Sequence, residues 1–352
     1  MYSYAPFFTA YLESLGVKPQ NIVWSDYTSD QLYREGSRRG SIDPCFPAKV
    51  ALPHVHNLLY KKRVDLVLFP IIFNYPTELV GVQAPQACPS VQIMPEVARA
   101  SLTTENDTFA ELGIPYHAPV FHMGEPNLFE KQMHEFFRGF LGVGQEENRQ
   151  AMAEGYRALD AYVQGLRQQA REILEKLEEE GRLGIVMLGR PYHNDPGLNH
   201  EIPHDLQKLG YPIFTIDSLP IDEDILERLF GEEVRRGDIE SPLSINDVWK
   251  NSYSENTNRK VWAAKYVARH PNLVAIDLSS FKCGMDAPIY HVIDGILAAA
   301  DTPYFTFHEI DENRPAGSIK LRVETLYYFL KRYEAELRQR QAIEAHREVH
   351  AR

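Results

Sequence analysis

The chain has 352 residues, 44% of them hydrophobic and 24% charged; that suggests about two domains and excludes wholesale disorder, collagen and coiled-coil arrays. Lys and Arg number 37 against 49 Asp and Glu, a net charge of −12, and such a surface repels phosphate backbones, so nucleic acid is not an expected partner. Three cysteines are an odd number in a long chain and argue against a disulfide framework.

No secretion signal is visible, since Tyr2–Leu15 mixes polar and aromatic residues and the first basic residue is Lys18. The strongest apolar run, Leu66–Phe73, contains Pro70 and falls far short of the roughly 18 residues of a membrane span. A cytoplasmic protein with no membrane contact is expected.

In chain order, residues 4–15 read as a helix and Asn21–Asp26 as a short strand. Pro47–Arg63 reads as a helix, and Asp65–Pro70 as a continuous apolar strand of the kind buried on both faces. Tyr116–Met123 reads as another strand. Asn127–Leu141 and Gln145–Gly181 read as helices, the second with Met152, Tyr156, Leu159, Val163, Leu166 and Ala170 along one stripe that reads as a core-facing seam or as a dimer surface. The second half alternates strands at Gly184–Gly189, Pro212–Asp217, Leu273–Leu278 and Pro303–His308 with helices at Pro203–Gly210, Asp222–Phe230, Asp247–His270, Ala287–Ala300 and Ser318–Leu337. Short apolar strands alternating with helices imply parallel sheets covered by helices. The expected fold class is α/β, with two Rossmann-like parallel-sheet domains at 1–125 and 183–340, a helical connecting region at 126–182 and a polar tail at 341–352.

Several motifs are missing. There is no G-x-x-x-x-G-K-[ST] phosphate loop, no G-x-G-x-x-G after a strand, no G-x-S-x-G elbow and no H-E-x-x-H helix. Any ATP-driven step therefore needs a partner protein.

Cys45, Cys88 and Cys283 each stand in a Pro- or Gly-containing loop shortly before an expected helix start. Helix N-termini carry unpaired N–H groups and partial positive charge, which favour a thiolate. Three readings stay open on the residues alone: a [4Fe–4S] cluster on three thiolates, zinc shared with histidine, or three small buried hydrophobes.

The stretches Cys45–Lys49 (CFPAK), Gly189–Gly197 (GRPYHNDPG), Asn251–Ser254 (NSYS), Phe281–Gly284 (FKCG) and Ile310–Ser318 (IDENRPAGS) resemble the acyl-CoA dehydratase activase-related proteins, also called the uncharacterised domain of CoA enzyme activases. These are similar to the 2-hydroxyacyl-CoA dehydratase subunits and the double-cubane cluster proteins. The resemblance spans about Tyr4 to Leu337. It implies a [4Fe–4S] cluster on Cys45, Cys88 and Cys283, low-potential electrons from an ATP-dependent activase partner, and a setting in anaerobic metabolism. No second cysteine adjoins any of the three, so a double cubane within one chain is not implied.

The loop Arg190–His204 follows the strand GIVML and occupies the position where α/β proteins bind ligands. Arg190 suits a phosphate or carboxylate, and His193 or His200 suits acid–base work or the fourth iron. The plainer reading is a turn at Asn194–Pro196 capped by the histidines. Lys49 and Lys282 read as counter-charges to a cluster or as solvated lysines, and Ser252, Tyr253 and Asn256 as helix caps or ligand contacts.

The expected function is an iron–sulfur reductase or dehydratase that acts on a small acyl-CoA-like substrate at an open iron. The alternative is a non-catalytic electron-relay or docking module of a CoA enzyme activase. A homo-oligomer is compatible with either.

Overall fold

The computed structural model describes residues 3–37, 45–311 and 316–350. The first half begins with α1 (Ala5–Ser14), α2 (Asp30–Gly36) and α3 (Phe46–His56), which continues as a wider π turn over Asn57–Lys62. Then come β1 (Val67–Leu68), β2 (Ile71–Asn74), α4 (Pro89–Thr103), α5 (Thr108–Leu112), β3 (Tyr116–His117) and β4 (Val120–His122). β1 pairs with β3 and β2 with β4, both in parallel. Two long helices follow, α6 (Pro126–Leu141) and α7 (Gln145–Glu180).

The second half carries β5 (Gly184–Leu188), α8 (Ile202–Lys208), β6 (Ile213–Thr215), α9 (Glu223–Arg236), α10 (Glu255–Arg269), β7 (Leu273–Leu278), α11 (Tyr290–Ala299), β8 (Tyr304–Phe307) and α12 (Ala316–His350). Its four strands form one parallel sheet in the order β6-β5-β7-β8. The α/β class with several parallel sheets and helical stretches between them is therefore the observed architecture.

The period-2 alternation of strands explains how this sheet is covered. Val186 and Leu188 point into a core with Val261, Ala264 and Val267 of α10 and Ile293 and Leu297 of α11. Ile185 and Met187 point the other way, to Leu206 of α8 and Ile319, Val323, Leu326 and Leu330 of α12. Leu32 of α2 and Phe46 and Val50 of α3 pack into this second core, so the first half is joined to the second by apolar contact.

The 36 residues of α7 reach about 54 Å at 1.5 Å per residue. Ala151 and Met152 near its start belong to an aromatic core with Phe7, Tyr11, Phe129 and Phe137. Ala170, Leu174 and Leu177 near its end belong to the core of the four-stranded sheet.

Several elements differ from expectation; Tyr116–Met123 holds two short strands, β3 and β4, in place of one. Residues 22–29 carry no strand; Thr28 N donates instead to Asp195 Oδ2 at 3.0 Å. The helix expected from Asp247 starts at Glu255, because Asn251 is left-handed (φ 57°) and Ser252 and Tyr253 accept N–H groups from Gln83 and Gln86. Asp65–Pro70 contains only the two-residue β1, and a second strand, β2, follows Pro70. The resembling stretch Ile310–Ser318 and the tail expected at 341–352 both run partly outside the described residues.

Candidate functional site

In the four-stranded sheet β5 connects outward to β6 on one side, while β7 lies on its other side. The strand order reverses there, and in open parallel sheets ligands bind beyond the carboxyl ends of strands at such a point. The loops at this point are 189–201 after β5 and 279–286 after β7.

Arg190 opens the first loop and is buried. Its Nε and Nη2 donate to Asp286 Oδ1 at 3.1 and 2.6 Å, and Nη2 also donates to Thr257 Oγ1 at 3.0 Å. The remaining nitrogen, Nη1, is buried without a hydrogen-bond partner. A buried polar atom left unpaired costs about 1–3 kcal/mol, so such an atom points to a missing ligand or to function.

Asp286 is held on its other oxygen as well. Lys260 Nζ lies 3.0 Å and Ser279 Oγ 2.8 Å from Oδ2. Lys260 also lies 2.6 Å from Asp277 Oδ1, as an ion pair rather than an aligned hydrogen bond. Asp277 Oδ2 takes His308 Nε2 at 2.9 Å and the Tyr304 hydroxyl at 3.1 Å. Burial alone would neutralise Asp286, but Lys260 and Arg190 outweigh it and hold the carboxyl well below the usual range. Asp277 is likewise lowered, burial being outweighed by Lys260 and by the His308 hydrogen bond. Two cations and two carboxylates thus form a wholly buried network under the loops.

Cys45 lies near enough to Cys88, Cys283 and Arg190 to feel their charges. Cys45 caps α3 and Cys88 caps α4, each followed by proline within the first turn. Cys283 is buried in the loop after β7. Cys88, Cys283 and Arg190 all act electrostatically on Cys45, and Tyr192 lies in the field of Arg190, Cys283 and Cys45.

The iron–sulfur expectation is nevertheless overturned. Among the described residues, no group of three or more His, Cys, Asp or Glu side chains is placed to hold a metal ion. Burial pushes the Cys45 thiol up, with Cys283 and Cys88 adding to the effect. Burial and then Asp286 push the Cys283 thiol up in the same way. The donor set does not fit a [4Fe–4S] cluster or another resident metal. With it fall metal binding by Cys45, Cys88 and Cys283, the electron-transfer role and the substrate step at an open iron.

His193 is a latch of its own loop. Its Nδ1 accepts the Arg190 N–H at 3.0 Å. Burial, then Lys260, push its pKa down to about 3, so the ring is neutral in the physiological range. His200, left-handed at φ 53°, faces elsewhere. Its Nε2 meets the Asp311 carbonyl at 2.9 Å, and its ring lies edge-on to Phe46, with centroids 6.1 Å apart. Asp195 organises the turn between them, accepting the Gly197 and Leu198 N–H groups on Oδ1. Gly197 is required there because a Cβ would stand 2.2 Å from Thr28 O.

Sequence reasoning passed over Lys260, Asp277, Asp286 and Glu255. One signal was present: Asp277 interrupts the apolar strand LVAIDL, and a charge in a strand buried on both faces demands a partner. Glu255, the first residue of α10, is buried and its Oε2 lacks a hydrogen-bond partner. Burial raises it to about 7, against the pull of Arg259 and Thr77 and with the push of Glu78.

Among the described residues no helix is long and apolar enough to cross a membrane. No curated protein matches the chain. One family does match, over residues 1–219, and that is more than half of the chain. The chain belongs to the family of the CoA enzyme activase uncharacterised domain (DUF2229).

Proposed function

We infer that this chain is a docking module of a CoA enzyme activase system, and that its partner is an ATP-dependent activase. The observation that carries this reading is Phe281. It is 76% exposed, yet it stands two residues before the buried Cys283, in the loop after β7. A large apolar side chain held in water next to buried polar groups is typical of an anchor that a partner covers. Family membership supports the choice of partner, and the lack of a G-x-x-x-x-G-K-[ST] loop supports an ATPase on another polypeptide or segment. Kinship with the 2-hydroxyacyl-CoA dehydratase subunits, carried by the stretches 189–197 and 281–284, is part of this reading, without their cluster.

The test is calorimetry of the chain against a purified ATP-dependent activase with ATP. Saturable binding is expected, at least tenfold weaker for Phe281→Ser at unchanged melting temperature. No binding, or equal binding by the variant, overturns the reading.

A further inference from the structure

The segment 22–29 brings a hydroxyl to each ring nitrogen of a single histidine in the last turn of α3. Ser25 Oγ lies 2.8 Å from His54 Nδ1, and Thr28 Oγ1 lies 3.0 Å from His54 Nε2. Burial lowers the His54 pKa against the pull of Asp195 and then of Asp26, so the ring is neutral near pH 7. A neutral imidazole has one N–H and one lone pair. One hydroxyl therefore donates to the ring and the other accepts from it.

The surrounding charges decide which. Asp195 is fully buried and takes the Thr28 N–H on Oδ2 at 3.0 Å, so its carboxylate stands on the Nε2 side. Asp26, next to Ser25, is already met by Lys62 at 2.5 Å and by Asn57 Nδ2 at 3.0 Å. The stronger field is that of Asp195. It keeps the ring proton on Nε2, donated to Thr28 Oγ1, and leaves the Nδ1 lone pair to the Ser25 hydroxyl.

A hydroxyl held on a neutral imidazole, whose far nitrogen is fixed by a third group, is the arrangement of an activated serine nucleophile. Ser25 is half-buried and Thr28 is buried, so Ser25 is the hydroxyl that a substrate reaches. Val23, Trp24 and Tyr27 beside it are exposed and offer apolar and aromatic surface to a substrate.

We propose that Ser25 and His54 form an acyl-transfer site for small activated esters with an aromatic leaving group. Ser25 Oγ attacks the ester carbonyl carbon, and its proton passes to His54 Nδ1. The bond from that carbon to the leaving oxygen breaks, and the leaving oxygen takes the proton from Nδ1. Water then attacks the acyl-serine, giving a proton to the same nitrogen. The carboxylic acid departs and the Ser25 hydroxyl is restored. Thr28 and Asp195 are positioning residues that fix the ring.

The experiment gives p-nitrophenyl acetate to the whole chain alone at pH 7.5, with no activase present, so its failure is separate from failure of docking. Absorbance follows p-nitrophenolate, and peptide mass spectrometry locates the acetyl group. Release above the buffer rate is expected, with acetyl on Ser25, and slower by at least about tenfold in Ser25→Ala and in His54→Gln. Thr28→Val should also slow it, and Thr28→Ser should restore it. Should His54→Gln fail to fold, Ser25→Ala decides alone. No release above the buffer rate overturns the proposal. So does an unchanged rate in Ser25→Ala or Thr28→Val, or an acetyl group found only on other residues.

Discussion

Arg190 and Asp286 are joined through a single carboxylate oxygen: Nε and Nη2 both reach Oδ1, at 3.1 and 2.6 Å. That leaves Oδ2 to Lys260 and Ser279. One carboxylate therefore compensates two buried cations from two different elements, the loop after β5 and α10, while itself belonging to the loop after β7.

Removing that carboxylate strands Arg190 and leaves Lys260 with Asp277 alone. Breaking a buried pair costs about 3–5 kcal/mol, because a charge is left uncompensated. Asp286→Ala is expected to lose that much in urea unfolding. The pH dependence follows from the same group. The folded carboxyls of Asp286 and Asp277 are held below their unfolded value. Their contribution is complete above the unfolded value of about 3.9 and drains away as pH falls below it. Midpoints measured from pH 6 down to pH 3 should fall in the wild type and fall less in Asp286→Asn.

Gly197→Ala tests the junction between the loop after β5 and residues 22–29. The added Cβ meets Thr28 O at 2.2 Å, and the two nearest atoms at that point are backbone, which cannot swing aside. Overpacking of this kind costs about 1–3 kcal/mol. The same shift should break the Thr28 N–H bond to Asp195 Oδ2, so amide exchange at Thr28 should quicken beyond that of α12.

Residues near this junction show where sequence reasoning reaches and where it stops. LVAIDL reads directly as β7, and GIVML as β5, because strands buried on both faces are written as unbroken apolar runs. The helices from Asn127 and Gln145 read within a residue of α6 and α7, since long amphipathic periods are strong signals. Asp247–Ser254 does not read correctly, as its backbone bonds go to Gln83 and Gln86, more than 150 residues away. The placement of Cys45 and Cys88 at helix starts was legible from the prolines that follow them. Whether they ligate a metal was not, because that depends on side-chain geometry, which among the described residues went against it. Lys260 reads as an ordinary helical lysine until Asp277 and Asp286 are found on either side of it.

The thiols make a prediction of their own. Alkylation follows the thiolate fraction, and each unit of upward shift lowers that fraction about tenfold at a pH below the pKa. Burial raises both Cys45 and Cys283. At pH 7.5, iodoacetamide should modify both more slowly in the native chain than in the urea-unfolded chain. Peptide mass spectrometry over a time course gives the rates. Equal native and unfolded rates at either cysteine would show that its site is open and its thiolate accessible.

Glu255 should make stability fall with rising pH over a window where most proteins are level. Its carboxyl is raised to about 7 in the folded state, chiefly by burial, against about 4.3 when unfolded. Between those values the native state holds a proton that the unfolded state has released. Stability then falls as pH rises, and the loss is complete above the folded value. The full shift corresponds to no more than about 4 kcal/mol at 1.36 kcal/mol per unit. The groups that set it are Thr77 and Glu78 from the first half and Arg259 one turn along α10. Glu255→Gln keeps the shape and removes the ionisation. It should therefore be more stable than the wild type at pH 8 by about 1–3 kcal/mol and nearly equal to it at pH 5. Urea midpoints of both proteins at the two pH values decide it. A wild type and a Glu255→Gln variant that differ by the same amount at pH 5 and pH 8 would mean that Glu255 is already ionised in the folded chain. Its unpartnered Oε2 would then have to be met by solvent.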